Sequence, residues 1–224
     1  MNARANFIEF VDVHAGLFDV FEVELFQREG LGNFRDLMIA VAQDPAMLAF
    51  LDAGVNVKGA PNENFARELL QLFAVGTCQL NTDGSLRGGA CAPTYDNDMV
   101  RSYAYALTGW TYPAGGATPW GCWPKGTNCR YYGGDMVPVE TRHDTAARTL
   151  MSGVSLPAGH KAAAALDAVL DSLIAHPNTA PFIGKQLIQR LVTSNPSPAY
   201  VQRVAAVYTD NGAGVRGDLG AVYA

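Results

Sequence analysis

Apolar residues recur at helical spacing along most of the chain. Between Phe7 and Ala53 the repeat runs through Phe18, Phe21, Val23, Leu25 and Phe26, then through Phe34, Leu37, Met38 and Val41. Gly30 and Gly32 divide this stretch into two helices. Gly32 or Asn33 opens the second, and Asp44-Pro45 ends it and starts a short third helix around Ala46 to Leu51. The Phe and Met stripe reads as core packing.

A strongly amphipathic helix is predicted from Asn62 to Phe73. At 100° per residue Glu63, Asn64, Arg67, Glu68 and Gln71 share an arc of roughly 140°, and apolar residues fill the other side. Gly76 ends this helix, and Thr77 to Leu86 reads as a short hairpin in which Asp83-Gly84 supplies the positive φ of a tight turn. A further helix runs from Asn97 to Trp110, with Asp96 as N-cap and Asp98 in the first turn, where the helix dipole favours an anion. Residues 111–142 form a long loop insertion rich in Gly, Pro and aromatic residues. Beyond it the pattern predicts a short helix after His143-Asp144 and a longer one from Lys161 to Ala175. Two more follow, from Thr179 to about Thr193 and from Pro198 to about Asp210. The expected architecture is all-α: one irregular multi-helix bundle over 1–224, with one short β-hairpin and a long aromatic and cysteine-bearing loop.

Composition permits a sizeable core, since 49% of the 224 residues are hydrophobic. The net charge is −5, from 16 basic and 21 acidic residues, and no basic stripe with interleaved aromatics exists to bind nucleic acid. No apolar run approaches the roughly 20 residues of a membrane span, and the N-terminus has no signal-peptide pattern. The cysteines nevertheless point to an oxidising compartment. Cys78 and Cys91 bracket a Gly-rich turn, and Cys122 and Cys129 bracket Trp123, Pro124 and Gly126. These gaps are wider than the two to four residues of a zinc knuckle, so two disulfides are expected, Cys78–Cys91 with Cys122–Cys129 being favoured among the three connectivities. A chain with disulfides and no export signal reads as part of a longer, extracytoplasmic precursor.

Ordered motifs also carry a family resemblance. Gly32-Asn33-Phe34-Arg35-Asp36-Leu37, Asp44-Pro45-Ala46-Met47 and Asn62-Glu63-Asn64-Phe65-Ala66-Arg67-Glu68-Leu69 come first. Gln79-Leu80-Asn81-Thr82-Asp83-Gly84, Leu107-Thr108-Gly109-Trp110, His143-Asp144 and His176-Pro177 follow in order. From about Ala15 to Ala224 the chain resembles the bacterial family catalogued as domain of unknown function 1800. Members are usually about twice this long, so the chain resembles the middle and later part of one, cut at both ends. It departs from the family at Arg148, where a Lys is common, at Ala53, where an Asn is frequent, and in an insertion from Gly88 to Ala92. The resemblance implies a helical, exported bacterial protein, often encoded beside a partner with a twin-arginine signal. It implies no established activity and therefore no catalytic residue.

Candidate chemistry is confined to a few places. His143-Asp144 is the best acid–base pair, because imidazole titrates near neutrality and a carboxylate can orient it; the alternative has Asp144 capping the next helix. Glu63, Arg67 and Glu68 could form a buried charged cluster, or simply a solvated face with one ion pair. Asn62-Glu63-Asn64 could equally organise a neighbouring loop from the start of that helix. His176, before Pro177 at a helix end, reads as a structural cation. No metal site is expected, since His14, His143, His160 and His176 could converge only through tertiary structure, and no nucleophile elbow is present. Trp120, Trp123, Tyr131 and Tyr132, with Tyr112, could offer flat faces to a glycan or a partner protein. Two functions follow: a cell-envelope binding or scaffold protein using the aromatic loop, or an envelope enzyme built from His143, Asp144, Glu63, Arg67 and Glu68 around one cleft.

Overall fold

The structure, a computed structural model, describes residues 24–113 and 133–224. Helices dominate it. Residues 24–29 are helical, and α1 (Phe34–Gln43) starts at Asn33, whose side chain accepts the Arg35 N–H. Asp44 then accepts the Ala46 N–H and opens α2 (Pro45–Phe50), with Pro45 in the first turn where its missing N–H costs nothing. Helix α3 (Asn64–Glu68) runs directly into a π-helical turn, Leu69–Ala74, within the span predicted as one amphipathic helix. The wider turn accommodates an extra residue, and Leu69, Leu70 and Ala74 are all buried while Leu72 stays exposed.

Helix α4 (Asn97–Ala106) is capped by Asp96, which accepts the Met99 N–H. It ends before the Trp110 that periodicity assigned to it. Gly109, at φ +88°, turns the chain out of the helix, and Trp110–Thr111 forms β1, antiparallel to β2 (Val137–Pro138). A second pair, β3 (Arg148–Thr149) and β4 (Ser155–Leu156), follows His143-Asp144 where a short helix was predicted. Thr145, Ala146 and Ala147 are exposed, so a helix there would have no apolar face to bury. The chain is thus mostly helical with two small two-stranded sheets, rather than strictly all-α. The hairpin expected at 77–86 is present as isolated antiparallel bridges, Leu80 with Leu86 and Cys78 with Pro93, with Gly84 at φ +75° in its turn.

The C-terminal half supplies α5 (Ala162–Ile174), α6 (Thr179–Leu191), α7 (Pro198–Thr209) and α8 (Leu219–Tyr223). Ala165, Val169, Leu170 and Leu173 of α5 are buried at the centre of one hydrophobic cluster, in which α5 packs against α1 and α4. A polar thread crosses this core. The Met151 N–H reaches the Tyr103 hydroxyl at 3.2 Å, that hydroxyl lies 2.6 Å from Ser172 Oγ, and Ser172 donates to the Val169 carbonyl at 2.6 Å. Burial pushes the Tyr103 phenol up to about 12, so it stays a neutral donor.

Two features anchor the hairpin. Cys78 and Cys91 form a disulfide, as the sequence pattern favoured; Cys122 and Cys129 lie outside the described residues. The buried Asn178 donates to the carbonyls of Val75 at 2.6 Å and Cys78 at 2.9 Å, and its Oδ1 accepts the Leu80 N–H at 2.6 Å. Asn178→Ala strips partners from three backbone groups and is expected to cost about 2–4 kcal/mol, read as a lower urea midpoint. Replacing both Cys78 and Cys91 with Ser should cost about 2–3 kcal/mol for a loop of this length. A midpoint unchanged in either variant would show that the hairpin is held by its packing alone.

Candidate functional site

His143 and Asp144 are built around the corner that ends α4. Thr108 Oγ1 donates to the Tyr105 carbonyl at 2.7 Å and accepts the Asp144 N–H at 2.8 Å. The Thr108 carbonyl accepts from His143 Nδ1 at 2.9 Å, which fixes the tautomer: Nδ1 carries the proton and Nε2 the lone pair. Gly109 lies so close to His143 that an added Cβ would sit 2.8 Å from its backbone nitrogen. Its N–H bonds the Asn56 carbonyl, and its own carbonyl accepts from Val139. Asp144 is spent locally, accepting the Ala146 N–H and pairing with the Arg148 guanidinium, which also covers the Tyr105 ring at 4.9 Å. Asp144 therefore caps a turn, not a helix.

His143 is 1% exposed and His160 7%. Their rings meet edge to face, centroids 5.0 Å apart with an 82° interplanar angle. His160 Nδ1 donates to the Pro157 carbonyl at 2.8 Å, so this imidazole too presents an unprotonated Nε2. Both Nε2 atoms are buried and without a hydrogen-bond partner. The β3–β4 hairpin brings the two together, because the chain leaves at His143, returns at His160, and is closed at its base by the Gly159 N–H on the Thr145 carbonyl. Burial lowers the His143 pKa, against the pull of its bond to Thr108 and with a further push from His160.

The Glu63 group is of a different kind. Glu63 pairs with Arg67 at 2.9 Å and with Arg101 at 3.8 Å, and the three side chains are 33%, 41% and 64% exposed. This is the solvated face with an i,i+4 pair, worth a few tenths of a kcal/mol. Its neighbours are the architectural part: Asn62 accepts the Asn64 N–H and donates its own N–H to Asn56, while Asn64 reaches Asp52. Glu63 thus bonds Arg67 and pairs with Arg101, whereas His143 and Asp144 bond Thr108, Ala146 and Arg148, so the two groups use different partners. Trp120, Trp123, Tyr131 and Tyr132 lie outside the described residues. Among those described, no three His, Cys, Asp or Glu side chains are placed to hold a metal together. An open cleft of about 330 Å³ lies elsewhere, between the disulfide-stapled hairpin and α6, lined by Thr77, Leu80, Phe182, Lys185, Gln186 and Gln189.

A family model described as a protein of unknown function, DUF1800, matches residues 7–224. The chain belongs to the DUF1800 family. No curated protein and no solved structure matches it. The DUF1800 motifs turn out to sit at junctions. Asn33 caps α1 and donates to the Arg216 carbonyl, Phe34 takes the Gly217 carbonyl, and Thr108-Gly109 makes the α4 corner. Asn178, directly after His176-Pro177, carries the hairpin. The role of Asn178 and the pairing of His160 with His143 are not legible in the sequence; an Asn directly after the helix-ending Pro177 is the only local signal for the first. His176 differs from expectation. Burial lowers its pKa and its Nδ1 accepts the Asn178 N–H, so it is a neutral acceptor and not a helix-end cation.

Two imidazoles with folded pKa values below the unfolded value set a pH dependence. Between those values the unfolded chain binds more protons, so stability is full above about pH 6.5 and falls as pH drops below it. Asp44, raised by burial, opposes this trend, while Asp83 and Asp218 are lowered and titrate beneath the window. The urea midpoint should therefore fall between pH 7.5 and pH 5.5, and His176→Gln should flatten that fall. Equal midpoints at the two pH values would contradict the burial of neutral imidazoles.

Proposed function

We propose that this DUF1800 chain acts as an exported binding or scaffold protein of the cell envelope, with a glycan as its ligand. The cleft beside the disulfide is the observation that carries this reading. Phe182 offers an apolar ring, Gln186 an amide that both donates and accepts, Gln189 an amide that keeps its oxygen and one N–H beside its bond to the Ser194 carbonyl, and Lys185 a cation, which is the mixture that a sugar ring with its hydroxyls uses. The hairpin wall is rigid by construction, since Cys78 is covalently tied, Asn178 holds its backbone, and Lys185 donates to the Gly84 carbonyl at 3.3 Å. A preformed wall lowers the ordering cost of binding. Export is supported by that disulfide, which persists in oxidising compartments, and among the described residues no helix is long and apolar enough to cross a membrane.

The enzyme reading draws less support. The Asp144 carboxylate is occupied by Arg148 and Ala146, and the free nitrogen of His143 is covered, so neither offers a proton to a substrate as the site stands. Co-sedimentation with insoluble envelope polysaccharide tests the binding reading. Wild-type protein should pellet with the glycan, and the Gln186→Ala, Gln189→Ala double variant should bind about 5- to 30-fold more weakly, the loss of two hydrogen bonds. Undiminished binding by that variant, with loss on changing Trp120 and Trp123 to Ala, would move the site to the aromatic loop. Failure of the wild type to pellet, with capture of the neighbouring exported protein instead, would make the ligand a protein.

A further inference from the structure

We propose that His143 and His160 together form a transition-metal site, binding a copper ion through their two Nε2 atoms. Each ring is prepared in the same way. Its Nδ1–H is donated to a backbone carbonyl, Thr108 for His143 and Pro157 for His160, which leaves the Nε2 lone pair as the free ligand. Metal-binding histidines are typically oriented by this second-shell bond, which also raises the basicity of the other nitrogen. Both Nε2 atoms are buried and have no hydrogen-bond partner. Thr94 Oγ1, Trp110 Nε1, Arg148 Nε and Tyr208 OH are also buried without a partner, but these two nitrogens are the pair of imidazole lone pairs, and they lie on adjacent rings, which calls for a common explanation.

The spacing fits an ion between them. Imidazoles bound at about 2.0–2.1 Å with a near-tetrahedral angle have ring centroids about 5 Å apart. The observed separation is 5.0 Å, with the planes crossed at 82°. Edge-to-face packing alone would be served as well by an apolar ring, which would leave no nitrogen unpaired.

The donor set selects the class of ion. Two neutral imidazoles suit copper, zinc or nickel rather than magnesium or calcium, and among divalent ions at nitrogen sites copper binds most tightly. Among the described residues no third His, Cys, Asp or Glu completes a metal-binding group, so the site rests on these two imidazoles. Compensating charge is at hand in Glu140, which acts electrostatically on His143 and holds the Ala162 N–H only loosely, at 3.3 and 3.4 Å. The site does not use the cleft beside α6, so it stands or falls independently of glycan binding.

Chelator-treated full chain titrated with Cu(II) at pH 7.5 tests the proposal by calorimetry and electron paramagnetic resonance. One equivalent should bind, with nitrogen hyperfine structure from two imidazoles and a higher thermal midpoint. His160→Gln should weaken binding at least tenfold and reduce the hyperfine pattern to one imidazole, while His14→Gln and His176→Gln leave both unchanged. Wild-type protein that gives no midpoint shift and no two-imidazole spectrum would overturn the site, and this reading needs no variant to fold. Affinity unchanged in a folded His160→Gln, or lost only in His14→Gln or His176→Gln, would equally overturn it.

Discussion

The constraint on which much of the described fold depends is the need to satisfy backbone polar groups where α4 stops inside the protein. A helix end leaves carbonyls without intrahelical partners, and buried ones must find others. Here the answer is a corner made by Thr108 and Gly109. Asn56 donates to the Ala104 carbonyl, Gly109 donates to Asn56, Thr108 takes the Asp144 N–H, and His143 donates to Thr108. Three segments distant in sequence thereby meet at one point. Gly109 is the one residue of this corner for which a side chain is impossible on two counts, since its φ is +88° and a Cβ would press on the His143 backbone.

The same device recurs elsewhere. With only two-residue strands among the described residues, there is almost no sheet ladder there to absorb backbone groups from the loops. Asn33, Asn56 and Asn178 take that role, each donating from one side-chain atom to a distant carbonyl and accepting a backbone N–H on the other. An amide side chain suits this because it reproduces both halves of a peptide group. Of the three, Asn33 lies within one of the motifs that place the chain in the DUF1800 family, and in this chain that motif has an architectural role.

Function has to be sought where polar groups are not consumed in this way. Among the described residues, two places where such groups meet stand out. The cleft along α6 presents the Gln186 amide, and that of Gln189 beside its bond to the Ser194 carbonyl, next to an aromatic ring and the disulfide-tied hairpin. The His143–His160 pair presents two buried lone pairs, where an unpaired nitrogen is costly and the proposed ion, coordinated by both, would remove the cost. The exposed Glu63–Arg67 pair is neither, since water already satisfies it.

Several parts of this arrangement were legible in the sequence because their causes are local. The starts of α1, α2 and α4 follow from Asn33, Asp44-Pro45 and Asp96, each a side chain bonding an amide two or three residues on. The Gly76 stop, the Asp83-Gly84 turn and the Cys78–Cys91 pair are equally short-range, and the ordered motifs placed the chain in its family. Periodicity failed where two residues a long way apart compete with it. Trp110 continues the α4 stripe but is drawn into β1 by Pro138, and the span after Asp144 becomes a strand because Leu156 returns to pair beside it. Whether Glu63 was buried, whether His143 had company, and what Asn178 held were decided only in three dimensions. Apolar spacing and capping describe a residue's neighbours along a helix; the meeting of His143 with His160, or of Asn178 with Leu80, depends on how hairpins close and helices pack.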